Sequence, residues 1–152
     1  MRTVVWQGLD SPRMELVRLE WRDRGLRASG TQLGVAYELR YELDGERLEL
    51  DVVGERSATF ELDGCDFFDL GNSPLFNSLP VVRDGLLAEG PARDYVMRWI
   101  SVPDLELHES PQRYEPLSGD ALRFSSESFV AEIQFDYDGF VGRYEGLAER
   151  VA

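Results

Sequence analysis

From Val35 to Leu43 apolar and polar residues alternate without a break, and this pattern limits the fold more than any other feature of the chain. Val35, Tyr37, Leu39, Tyr41 and Leu43 share one parity; Ala36, Glu38, Arg40 and Glu42 share the other. A period of two fits a half-buried strand and excludes an amphipathic helix. Asp44-Gly45 follows as a tight-turn dipeptide, and Leu48, Leu50 and Val52 resume the pattern with Glu49 and Asp51 opposite, which predicts a hairpin. Ala58, Phe60 and Leu62 make a third run, closed by Asp63-Gly64. Near the C-terminus Phe129, Ala131, Ile133, Phe135 and Tyr137 alternate with Glu132, Gln134 and Asp136, and Asp138-Gly139 turns the chain into Phe140–Tyr144. Short alternating runs at this spacing predict an all-β, mainly antiparallel roll, barrel or sandwich.

Other stretches are less regular. Met14 to Trp21 changes parity at Leu16/Val17, which predicts a β-bulge or else a short helix. Residues 95–102 are apolar on both parities apart from Arg98 and Ser101 and read as a strand covered on both faces, ended by Pro103. Residues 105–117 look extended but are interrupted by Pro111 and Pro116. Residues 70–80 hold Gly, Asn, Ser and Pro beside Leu75, Phe76 and Leu79, the composition of an irregular but buried crossing segment with a helical turn or two.

The chain has 152 residues and no repeat or linker, which suits one domain over 1–152. Its single cysteine, Cys65, and single histidine, His108, leave no intrachain disulfide and argue against a zinc set; a Cys65 nucleophile would have His108 as its sole candidate base, with nothing in the sequence to orient it. No cofactor and no catalysis are expected. The N-terminus lacks a secretory apolar stretch, and no apolar run reaches the ~18 residues of a membrane span; the expected location is the cytoplasm. Every basic residue is arginine and the net charge is −13, which opposes nucleic acid and anionic membranes. The absence of lysine fits either a GC-rich genome or a halophilic, high-salt cytoplasm in which dense carboxylates keep a protein hydrated.

From Gly64-Cys65 through Asp69-Leu70, Pro74, Asn77, Leu79-Pro80 and Arg83, the chain resembles the signature of the putative glycolipid-binding family, formerly a family of unknown function. Tyr95-Val96, Val102-Pro103-Asp104-Leu105, Gln112-Arg113-Tyr114, Phe129–Ile133, Asp136-x-Asp138-Gly139-Phe140-Val141 and Tyr144-Glu145-Gly146-Leu147 continue the likeness in order. Ser73 and Phe76 stand where the family favours Thr, Glu145 replaces a Pro, and a Gly-x-Trp before Cys65 is missing. The resemblance implies a spiral antiparallel β-roll similar to bacterial lipoprotein-carrier half-barrels, and a lipid or glycolipid-like small molecule as partner.

On that reading the polar contacts to a ligand would come from Asp66, Asp69, Asn77, Arg83, Gln112 and Tyr114, and the apolar lining of the concave side from Tyr37, Phe60, Phe67, Met97, Trp99, Phe135 and Tyr137. Each residue also has a plain structural reading. Asp66 and Asp69 differ in parity and so cannot act as an acid–base pair on one strand face. Asn77 is of a type that braces irregular backbone, Gln112 and Tyr114 share a parity, and the aromatics would equally fill a core. The rival function is a structural or protein-interaction β domain, such as a homodimer, with a core filled by its own side chains.

Overall fold

In a computed structural model the described residues form thirteen strands and one helix. The structure describes all residues except 23–24, 33–34, 43–46, 53–55, 62–65, 72, 88–89 and 102–103. The turns at Asp44-Gly45 and Asp63-Gly64, together with Cys65 and Pro103, lie outside the described residues. The strands are β1 (Arg2–Gly8), β2 (Met14–Arg22), β3 (Gly25–Gln32), β4 (Val35–Glu42), β5 (Arg47–Val52), β6 (Arg56–Glu61), β7 (Phe67–Leu70), β8 (Arg93–Ile100), β9 (Leu107–Pro116), β10 (Ala121–Ser126), β11 (Phe129–Phe135), β12 (Val141–Tyr144) and β13 (Ala148–Arg150). Helix α1 (Pro74–Asp84) joins β7 to β8. Among the described residues no helix is long and apolar enough to cross a membrane.

All strands belong to one sheet in the order β6-β5-β4-β3-β2-β1-β13-β12-β11-β10-β9-β8-β7. Two meanders, β1–β6 and β8–β13, meet where the first strand pairs with the last, Trp6 opposite Arg150. Only β7 and β8 pair in parallel, because a helix rather than a turn connects them. The sheet stays open, with β6 and β7 as its edges. It nevertheless curls until those edges meet. Phe60 shares the face of buried Leu26 through the register Leu26↔Tyr41↔Leu48↔Phe60, and its ring lies 5.6 Å from that of Phe68 in β7. Phe67, one residue earlier and on the other face, is also fully buried. A spiral therefore covers β7 on both sides, which explains its consecutive apolar residues.

Helix α1 lies on the inner face, against β7 and β12. Pro74 stands at its first turn, where a missing N–H costs nothing, and Gly85 ends it at φ 64°, sending its N–H to the Val81 carbonyl. Every residue from Pro74 to Val81 is buried, so this part of the helix is covered around its whole circumference. Its two buried polar side chains are satisfied: Ser78 Oγ donates to the Pro74 carbonyl and accepts from the Val141 N–H, both at 3.0 Å. Trp6 Nε1 donates to the Val141 carbonyl at 2.7 Å, so one residue of β12 is held from the helix and from β1.

Several local expectations are corrected. β2 carries no bulge and is not helical: its register with β1 is continuous from Arg2↔Leu19 to Gln7↔Met14. The apolar parity breaks because the carboxylate of Glu15 is buried with Val17 and Leu19, while Leu16 is 43 % exposed. β8 is not covered along its whole length, since Val96 is 52 % exposed; β7 is the doubly covered strand. Pro111 does not interrupt β9, because it lies beyond the last register pair with β10, Ser125↔Arg113. The crossing segment is a helix of 11 residues, longer than its Gly, Asn and Pro content suggested, because burial outweighs the cost of Pro80 in its interior.

Candidate functional site

A chain of polar side chains runs from the helix outward along the inner face of β9. Asn77 Nδ2 donates to Tyr114 Oη at 3.3 Å, and Tyr114 donates to Gln112 Oε1 at 3.0 Å. Gln112 Nε2 donates to Asp69 Oδ2 and to Ser110 Oγ, both at 3.0 Å. Ser110 Oγ lies 3.5 Å from Ser126 Oγ. Period-two geometry puts Ser110, Gln112 and Tyr114 on one side of β9, and α1 lays Asn77 against them. Buried polar groups need such partners, and here each supplies the next.

The outer end of this chain is partly open. Trp99 and His108, register partners on β8 and β9, stack with ring centroids 4.1 Å apart and an interplanar angle of 18°, and both are half-buried. His108 Nε2 lies 3.3 Å from Ser101 Oγ. Gly71 backs the indole: a Cβ there would sit 3.2 Å from the Trp99 ring. Ser126 is half-buried, and its register partner Phe129 is 51 % exposed, so apolar surface continues beyond the polar groups.

Beside this end lies a second carboxyl. Glu15 is buried on the inner face of β2; its Oε1 accepts from Ser73 Oγ at 2.7 Å and from Tyr37 Oη at 3.0 Å. Its Oε2 is buried with no partner among the described residues. Desolvation pushes the Glu15 carboxyl up to about 7 against these bonds, with the Asp69 charge adding to the rise and Arg13 opposing it. Desolvation likewise raises Asp69 to about 7, against its bonds from Gln112 and the Leu70 N–H. Burial, with the Glu15 charge and bond, lifts the Tyr37 hydroxyl well above its ordinary value. Two carboxyls that titrate near neutrality in one cluster are a feature of binding and catalytic sites. Among the described residues no group of three His, Cys, Asp or Glu is placed to hold a metal.

The structure thus brings together Asp69, Asn77, Gln112 and Tyr114 of the six polar candidates, and places Trp99 and Met97 on the same face. Asp66 stands apart and is exposed, accepting the Val96 N–H at 2.8 Å. Arg83, at the other end of the helix, stacks 3.8 Å over the Phe67 ring and pairs with Asp84 at 2.8 Å. Tyr37, Phe67, Met97 and Phe135 are core residues, and Phe60 is half-buried at the seam. Tyr137 corrects its expectation: it is 97 % exposed, because β11 ends at Phe135 and the alternation stops in the following turn. Glu15 and Ser73 were not among the site residues expected from the sequence. A lone carboxylate sharing the parity of Val17 and Leu19 was the available signal.

Comparisons place the chain among known proteins. The model of a family described as "Putative glycolipid-binding" matches residues 50–150. The fold is similar to a crystal structure of a DUF1089 family protein from Pseudomonas aeruginosa, with a TM-score of 0.67 at 22 % identity, covering 93 % of this chain and 94 % of that one. No curated protein matches.

Proposed function

The chain belongs to the putative glycolipid-binding family, and from that premise we propose that it binds a glycolipid-like small molecule at the Asp69–Gln112 cluster without catalysing a reaction on it. One observation carries this reading: a polar relay that begins at buried Asn77 ends among half-buried Trp99, His108 and Ser126, next to two carboxyls. Sugar heads present hydroxyl donors and flat apolar ring faces. Carboxyls and an amide take the first, and aromatic rings take the second. Phe129 extends the surface with apolar area for the start of a lipid chain. The helix fills the roll, so the ligand is placed at the open end of the inner face and not inside a hollow.

Titration with phosphatidylcholine vesicles carrying a neutral monohexosyl lipid tests this. Binding above plain vesicles is expected, weakened about tenfold, roughly 1.4 kcal/mol, in both Asp69→Asn and His108→Ala. Binding equal to plain vesicles would reject it.

The side-chain-filled interior also favours a second reading, a structural or interaction domain that takes no ligand and pairs as a homodimer along an edge strand such as β6. Light scattering separates them: a dimer at all concentrations, with no glycolipid uptake, favours this one.

A further inference from the structure

The face of β2–β6 turned away from the helix carries an open groove of about 680 Å³, within the size of small-molecule sites. Its side chains alternate with buried Leu19, Ala28 and Leu39. Across its floor the register aligns Glu20, Arg27, Arg40 and Glu49 in one row. Two like charges therefore stand directly opposite each other, Arg27 on β3 and Arg40 on β4, an arrangement that destabilises a sheet when nothing lies between them. Arg27 is exposed and has no ion-pair partner among the described residues. Arg40 reaches Glu49 only at 3.9 Å, between two exposed side chains, a pair of little worth that a stronger partner displaces.

From this juxtaposition we infer that the groove is an anion-binding site in which Arg27 and Arg40 clasp one phosphate group of a phosphorylated polyol. Two guanidinium forks meeting one phosphate turn the repulsion into charge-assisted bonds. The hydroxyls of Ser29, Ser57 and Thr59 and the carboxylate of Glu38, all lining the groove, supply partners for the polyol hydroxyls. The chain's net charge of −13 opposes anions in general, so a phosphate held here depends on these two guanidinium groups. The polyol phosphate could be free or the head of a lipid; the chemistry recognised is the same.

Calorimetric titration at about 0.1 M salt, where distant charges are screened, tests the inference with glucose, inorganic phosphate, glucose 6-phosphate, and phosphatidylcholine vesicles with and without phosphatidylinositol. Glucose 6-phosphate or the phosphatidylinositol vesicles should bind, more tightly than phosphate, and glucose should not. Arg27→Gln and Arg40→Gln should each weaken binding at least tenfold, while Arg123→Gln, on β10, leaves it unchanged. Binding of the vesicles alone names a lipid head as the source, and binding of the soluble ester alone names a free one. Failure of both phosphorylated probes, or groove variants that bind as tightly as the unsubstituted chain, overturns the inference. Both substituted side chains face solvent, and an unchanged melting temperature verifies that the variants fold.

Discussion

Phe60 and Phe68 touch with ring centroids 5.6 Å apart, although they stand on the first and last strands of a thirteen-stranded sheet. The contact bridges a seam between edges that share no ladder but follow one another along the chain, so side-chain packing adds to the covalent connection in holding the spiral shut there. Phe68→Ala should cost about 3–5 kcal/mol, as for a buried aromatic, and Phe60→Ala less, since Phe60 stays partly exposed. A double-mutant cycle in denaturant should give a coupling of about 0.5–1.5 kcal/mol. Strict additivity would mean that the seam is not closed by this pair.

Two desolvated carboxyls, buried Glu15 and half-buried Asp69, set the pH dependence. Glu15 and Asp69 are both raised to about 7, above the ordinary carboxyl values near 4 that they regain on unfolding. The folded state thus holds their protons more tightly. Their contribution to stability is complete below about pH 4, declines as pH rises, and is gone above about pH 7, a loss on the order of a few kcal/mol. Glu15→Gln keeps an acceptor for Ser73 and Tyr37 and should flatten the profile, leaving the variant more stable than the parent chain at pH 8. Urea denaturation between pH 4 and 8 measures this, and parallel curves for the two proteins would refute it.

Ser78 ties the helix to the sheet through the Val141 N–H at 3.0 Å. Ser78→Ala strands that buried donor and should cost about 1–3 kcal/mol. Ser78→Thr keeps the hydroxyl and should cost less if its methyl is accommodated. Faster amide exchange at Val141 in the alanine variant is the site-specific readout.

Gly30 lies under the Tyr37–Glu15 bond. A Cβ there would fall 2.6 Å from the Leu16 carbonyl oxygen and 2.9 Å from Tyr37 Oη. Gly30→Ala must therefore shift backbone as well as the tyrosine, and should destabilise by more than about 2 kcal/mol. An unchanged melting temperature would show that β2 and β3 separate more easily than their register implies.

The acidic surface has its own test. With a net charge of −13, self-repulsion opposes the compact state and salt relieves it. The melting temperature should rise between dilute and molar KCl; a flat or falling response would tell against the high-salt reading.

Local alternation was enough to show that Val35–Glu42 and Phe129–Phe135 are strands, because a side-chain period of two depends only on neighbours along the chain. The polar relay was legible in part: Gln112 and Tyr114 share a parity, and Asp69 and Asn77 fall in a recognisable motif. The sequence could not reveal that the spiral covers β7 on both faces, that residues 74–84 would be helical against the cost of Pro80, or that Glu15 would face Ser73 across 58 positions. Those outcomes depend on which surfaces meet once the two meanders join at β1 and β13. Burial then sets the helix, the carboxyl proton affinities and the open end of the inner face, and burial is a property of the packed whole.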